Sequence, residues 1–457
     1  MKNRMLMWVA AAVCVMVQTV AGATYQFNTA EAPELASWVD GKLKPLVETW
    51  YPKLCELLAS RDFQAPQEVR YAWAKNPTYA ELRNSADLPA SSFRIPVAQS
   101  ASAGSDAVEE LSESEKRSVY PGQLWVRAKP FALPDLFQSE SGRRITTREE
   151  WERIRRPEIR RWFETHMHGV RPVERPDDLT FTPLGPDREI LGGLAVQRRV
   201  RIGYRGALGE GGFDVAAFIP AAGRPAPAFV LIVNQNLSRT FERSLTEKTG
   251  FFPVEDIVRR GYAAVTFLHT DVAHDGRTHS LTGGVFAAFG PETRTRTSWG
   301  SISAWAWGAS RVLDWIETEP ALDAKHVAVI GHSRCGKTAL YAAAVDERFA
   351  MACVNDSGCC GAKLNHAQVP MSENIELDNV VNPHWFCSAY RDWDGRDHEV
   401  PYDQHELAAL IAPRLLAIGS ASCDIPAGPY GEYLTAQLCS PAWELYGKRG
   451  LVADPEV

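Results

Sequence analysis

The rhythm of apolar positions changes several times along the chain. Met5–Val20 is a nearly unbroken apolar run behind Lys2 and Arg4, and it ends at Ala21-Gly22-Ala23. A positive start, a short apolar stretch and an A-x-A site predict a cleaved leader over residues 1–23. A membrane anchor fits less well, because the run is short and interrupted by Gln18. From 24 to 88 the apolar positions Leu35, Trp38, Val39, Leu43, Leu46, Val47, Trp50, Leu54 and Leu57 repeat at about 3.6 residues, which predicts a helical segment. The stretch 89–120, centred on Gln99-Ser100-Ala101-Ser102-Ala103-Gly104-Ser105 and followed by acidic, serine-containing sequence, predicts a linker.

Residues 121–457 read as one large domain. Thr147-Arg148-Glu149-Glu150 has capping-box character and predicts a helix through Phe163. Alternating runs at Val196–Tyr204 and Phe213–Ile219 predict early antiparallel strands, and the continuous apolar runs Ala228–Val233 and Ala263–Leu268 predict buried strands. Val254–Arg259 and the tryptophan-rich Ile302–Ile316 predict helices, and further strands are expected at Phe349–Val354 and Arg414–Gly419. Strands alternating with helices in this way predict a mostly parallel sheet covered on both faces.

The centre of this domain is Val327-Ala328-Val329-Ile330-Gly331-His332-Ser333-Arg334-Cys335-Gly336-Lys337-Thr338-Ala339-Leu340. A β-branched run meets a glycine, then a serine, then a helix-forming run, which is the layout of a nucleophile elbow. The spacing G-x-S-x-x-G is one residue looser than the usual pattern, and an ordinary strand-to-helix turn carrying a serine is the competing reading. With the strand order, the elbow predicts an α/β-hydrolase fold and makes Ser333 the candidate nucleophile. Gly336-Lys337-Thr338 is not a phosphate loop, because the required glycine upstream is missing.

Composition narrows the partners. The 457 residues carry a net charge of -7, and no basic run is long enough to track a phosphate backbone, so nucleic acid is not expected. The arginines between Arg153 and Arg161 alternate with Trp151, Ile154, Ile159 and Trp162, as on the wet face of an amphipathic helix. Of the cysteines, Cys14 lies in the leader and the rest (Cys55, Cys335, Cys353, Cys359, Cys360, Cys387, Cys423, Cys439) include no C-x-x-C pair. Neither a metal nor a cofactor is therefore expected. An exported chain, secreted or periplasmic, leaves room for one or two disulfides.

Several separate motifs, in order, carry a family resemblance. REEWERIRRPEIRRWFETHMHG, WGSISAWAWGASRVLDWIE, DAKHVAVIGHSRCGKTALYAAAVDERFAMACVNDSGCCGA, PHWF and YDQHELAALIAPRLL resemble bacterial glucuronoyl esterases. The resemblance runs from about Leu133 to the last residue. It implies hydrolysis of the ester between (4-O-methyl)glucuronic acid on glucuronoxylan and lignin alcohols, by a serine triad and without metal. It implies that Ser333 is the nucleophile, that Arg334 helps form the oxyanion hole, and that Lys337 and Glu373 hold the sugar. Two carboxylates compete as the triad acid: Asp424, after the strand ending near Gly419, and Asp356, after the strand before it. Topology ranks Asp424 slightly ahead. The bland readings are a surface arginine for Arg334, a helix-start acid for Glu373 and an Asx turn for Asp356. EAPELASWVDGKLKPLVETWYPKLCELL is also similar to the opening of plant-type basic secretory peptidases, but their H-E-x-x-H is absent, so no activity is carried over.

The sequence departs from the esterase pattern in places. Pro426 stands where the family has a tryptophan, Gly358-Cys359-Cys360-Gly361 replaces a G-C-G-G run, and Asn365-His366 replaces a basic pair. No histidine follows His405, although this fold places its base after the acid. His332 is expected to point toward the sheet. The expectation is a C-terminally truncated member that has lost its base, with a non-catalytic carbohydrate-binding protein and a carboxylesterase of different acyl specificity as the alternatives.

Overall fold

The computed structural model describes residues 132–451, except 222, 235–244, 246–249, 277–280, 291–292, 368–371, 422–423 and 425, together with three strands nearer the amino terminus. Those strands, β1 (Val13–Thr19), β2 (Gly22–Asn28) and β3 (Glu68–Arg70), form an antiparallel sheet in the order β2-β1-β3. The valine-rich run of β1 suits a strand. Within the segment expected to be helical, the described backbone is thus extended at 24–28 and 68–70. The helix expected over Leu35–Leu57 and the linker over 89–120 lie outside the described residues.

The large domain begins with a helical run at 148–167, α1. Thr147 caps it by accepting a hydrogen bond from Glu150 N at 3.2 Å, while the Glu150 carboxylate reaches back to Thr146 N at 2.9 Å, one residue earlier than a capping box requires. The run contains two wide turns, Trp151–Arg155 and Phe163–Met167, so it continues beyond the end expected at Phe163. The first precedes Pro157, which has no N–H for the regular helical ladder and opens it locally.

The main sheet contains β4 (Thr180–Pro183), β5 (Arg188–Ile190), β6 (Ala195–Gly206), β7 (Gly209–Pro220), β8 (Ala226–Val233), β9 (Ala263–Leu268), β10 (Leu322–His332), β11 (Met351–Asn355) and β12 (Leu415–Gly419). Their order is β12-β11-β10-β8-β9-β7-β6-β4, with β5 also on β6. The strands from β9 to β12 pair in parallel with β8 among them, and β4 to β7 are antiparallel. The alternating runs became antiparallel strands and the continuous runs became parallel ones, because a parallel strand is buried on both faces. The chain leaves β8 for β9 on one side and returns to β10 on the other. That reversal opens a crevice at the carboxyl ends of the strands, where open α/β sheets place their ligands.

The helices of the domain include α2 (Ser301–Ile316), α3 (Arg334–Val345), α4 (Ile375–Val381), α5 (Gln404–Ala409) and α6 (Pro429–Cys439). Every residue of α2 is buried, which its three tryptophans and small residues allow, and Trp305 Nε1 donates to Ala273 O at 2.7 Å. Among the described residues no helix is long and apolar enough to cross a membrane.

Candidate active site

Ser333 stands between β10 and α3 with φ +56° and ψ -126°. A side chain is strained in that region, and the neighbouring glycines show what enforces it. A Cβ on Gly331 would lie 2.0 Å from Cys335 O, and one on Gly336 would lie 2.9 Å from Asn355 O. Strand and helix backbones can therefore pass only where side chains are missing, which is why the looser spacing still makes an elbow. Ser333 N donates to Asn355 O at 2.9 Å, and Lys337 N donates to Ser333 O at 3.0 Å. Gly331→Ala is expected to destabilise the domain by about 2–3 kcal/mol through overpacking against backbone, read as a lower urea midpoint with an unchanged slope.

The first turn of α3 carries two cations. Arg334 lies over Trp385, its guanidinium carbon 5.3 Å from the ring centroid, and its Nη1 donates to Asp275 Oδ2 at 2.5 Å. Its Nε is buried without a partner among the described residues. Asp275, whose side chain is 6% exposed, follows β9 and gathers donors from three regions of the chain. His384 Nε2 reaches its Oδ1 at 2.8 Å, Trp385 Nε1 the same oxygen at 3.0 Å, and His269 Nε2 its Oδ2 at 3.1 Å. Burial alone would raise the Asp275 pKa, but the hydrogen bonds from His269 and His384 and the charge of Arg334 hold it well below the usual carboxylate range.

Lys337, one turn further on, is buried beneath Trp385, with Nζ 5.6 Å from the ring centroid. Nζ donates to Ser357 O at 2.6 Å and to Glu373 Oε2 at 3.3 Å, and lies 3.7 Å from Asp378 Oδ2. Burial disfavours its charge, yet the carboxylates of Asp378 and Glu373 raise its pKa above the ordinary lysine value. Asp378 itself is pushed up to about 7 by burial, against the pull of Lys337. Gly358, at φ +69°, makes room for this pair, since a Cβ there would meet Glu373 Oε2 at 2.3 Å. Glu373 sits just before Asn374, and Asn374 is the residue that caps α4. Glu373 therefore stands at the start of α4 and also reaches Lys337 Nζ.

The two candidate acids come to the same end of the sheet. Asp356 has φ +38°, donates from its N–H to Gly419 O at 2.7 Å and accepts from Ala421 N on Oδ1 at 2.6 Å. Its carboxylate thus bonds across to the loop after β12 rather than closing an Asx turn on itself. The Asp424 pKa is raised by burial and by the charges of Asp356 and Glu373. Behind them the buried Glu432 of α6 accepts from Ser357 N at 2.7 Å, Ser357 Oγ at 2.6 Å and Gly358 N at 2.9 Å, and also from Ser420 Oγ. One carboxylate so joins the ends of β11 and β12.

The histidines have other work. His332, expected to face the sheet, is partly exposed, with Nδ1 2.8 Å from Asn355 Oδ1 and 4.0 Å from Asp356 Oδ2. His384 is bound to Asp275, and His405 Nε2 lies 3.2 Å from Pro134 O. Among the described residues, none of these three hydrogen-bonds the Ser333 hydroxyl. The residues that sequence reasoning missed are Asp275, His269, Trp385, Asp378 and Glu432. Only Trp385 had a signal, its place in the P-H-W-F motif.

Fold and elbow together define an α/β-hydrolase. A family model described as fungal glucuronyl esterase matches residues 247–447. A carbohydrate esterase from an unknown prokaryotic organism is 32% identical over 353 residues, which is 71% of this chain and 80% of that protein. The solved glucuronoyl esterase from Solibacter usitatus superimposes with a TM-score of 0.66 at 31% identity, covering 71% of this chain and 88% of that one. The 4-O-methyl-glucuronoyl methylesterase of Schizophyllum commune is 29% identical, over 62% of this chain and 65% of its own length. The chain belongs to the glucuronoyl esterase family of carboxylic ester hydrolases, as its motifs led us to expect.

Proposed function

We propose that the chain hydrolyses esters of (4-O-methyl)glucuronic acid, as found between glucuronoxylan and lignin alcohols, and that it does so outside the cytoplasm. The observation that carries this reading is the pairing of a strained Ser333 with two cations held in fixed places one helical turn apart. A related solved structure, from Sporotrichum thermophile, contains methyl 4-O-methyl-beta-D-glucopyranuronate. Ser333 Oγ attacks the ester carbonyl, its proton passes by way of solvent to the departing alcohol, and water then adds to the acyl-serine to release the acid and restore the hydroxyl. The N–H of Arg334, at the start of α3, and its unpaired Nε are donors for the oxyanion. Lys337 and Glu373 take the sugar hydroxyls. Of the two candidate acids Asp356 is the better placed, because its carboxylate is fixed by Ala421 N whereas burial and like charges push Asp424 toward its neutral form.

The test compares benzyl glucuronate with benzyl acetate. Turnover of the first well above the second is expected, and Glu373→Gln should raise KM for the glucuronate about tenfold, a lost charge-assisted hydrogen bond, while leaving the acetate rate alone. Hydrolysis of acetate alone would make the chain a carboxylesterase of another acyl class. Glucuronate binding with no hydrolysis of either ester would leave only a carbohydrate-binding role.

A further inference from the structure

Three donor side chains converge beside Lys337. Cys359 and Cys360 are neighbours in the chain, and their Sγ atoms lie 3.5 Å apart. Cys360 achieves this with φ +61°, a conformation that favours glycine. Asp378, from α4, brings a carboxylate oxygen within 4.8 Å of both sulfurs, and all three side chains are buried. Asp378 Oδ2 has no hydrogen-bond partner among the described residues, although its side chain is only 5% exposed. Its charge is met by the Lys337 ammonium 3.7 Å away, which leaves that oxygen a lone pair for a ligand. Tyr390 Oη lies 3.4 Å from Cys360 Sγ, and Asn365 Oδ1 lies 3.5 Å from Cys359 Sγ.

We propose that Cys359, Cys360 and Asp378 bind one thiophilic divalent cation of the zinc(II) class. Two sulfurs and a carboxylate oxygen are a donor set that zinc accepts. Tetrahedral zinc with its usual bonds to sulfur holds two thiolates about 3.8 Å apart, a small adjustment from the distance seen. Both thiols give up their protons to solvent as the metal binds, so affinity rises with pH. Charge also balances: two thiolates and one carboxylate against a divalent ion leave a single negative charge, and the Lys337 ammonium is 3.7 Å from Asp378 Oδ2 to offset it. The site requires no ester chemistry, and it borders the proposed sugar site through Lys337.

The experiment uses the full chain kept reduced, loaded with zinc(II), desalted and analysed for metal, with cobalt(II) as a spectroscopic probe. One retained equivalent and a near-ultraviolet thiolate-to-cobalt band are expected. Cys360→Gly suits the positive φ and so preserves the backbone, and it should weaken binding by about 100-fold, as should Asp378→Asn. Circular dichroism checks that both variants fold. No retained metal in the parent chain, or an undiminished equivalent in folded Cys360→Gly, overturns the proposal.

Discussion

Hydrolysis of benzyl glucuronate by Ser333→Ala is expected to fall by about 10³-fold or more, with substrate affinity almost unchanged. A nucleophile contributes only once a bond begins to form, so its loss appears in kcat rather than in binding, and catalytic groups that act as a unit fail together. The backbone supplies an independent check. At φ +56° and ψ -126° a serine costs about 1–3 kcal/mol that glycine does not. Ser333→Gly should therefore be as inactive as the alanine variant yet more stable than the parent. A strained residue whose replacement stabilises the fold and abolishes turnover is retained for chemistry. If the alanine variant keeps the parental rate, another group performs the attack.

Asp275→Ala carries the largest expected loss of stability, about 3–5 kcal/mol, because it leaves four buried or half-buried donors facing an empty place. Turnover should also drop by about 10²-fold, since Arg334 loses the partner that holds it over Trp385. The pH dependence has a definite sign. The folded Asp275 pKa lies below its ordinary value of 3.8, so the ionised carboxylate stabilises the native state above about pH 4. That contribution falls away below pH 4 by up to about 1.4 kcal/mol per pH unit. Urea unfolding at pH 7 and pH 3 should show the gap between parent and Asp275→Ala narrowing in acid, and a constant gap would mean that the charge of Asp275 is not what holds the cluster.

What the sequence disclosed follows from how local each signal is. β8, β9 and the strand of the elbow announce themselves as uninterrupted apolar runs, and the elbow compresses strand, turn and helix into consecutive residues. The motifs that place Ser333, Arg334 and Lys337 are equally compact. Asp275 has no such signature: its partners sit at 269, 334, 384 and 385, and the sheet alone brings them together. The Cys359–Cys360–Asp378 cluster escapes for the same reason, since adjacent cysteines do not read as metal spacing and the third donor waits on another helix. Topology ranked Asp424 above Asp356, and the sequence carries no sign that burial and the charges of Asp356 and Glu373 raise the Asp424 pKa. The wide turns of α1 were hidden because apolar periodicity does not distinguish them from a regular helix.

The dispersed origin of Asp275's partners also bears on time. Its cluster closes only when the β9 loop, the elbow and the P-H-W-F segment have all docked, and contacts so distant in sequence carry a loop-closure cost before they stabilise anything, so they are expected to form late. Interactions absent from the folding transition state slow unfolding without speeding folding. Asp275 is then expected to act as a kinetic latch as much as a source of stability. For a loss of about 3 kcal/mol, the alanine variant should unfold roughly 10²-fold faster while folding at nearly the parental rate, so this carboxylate sets how long the folded chain survives.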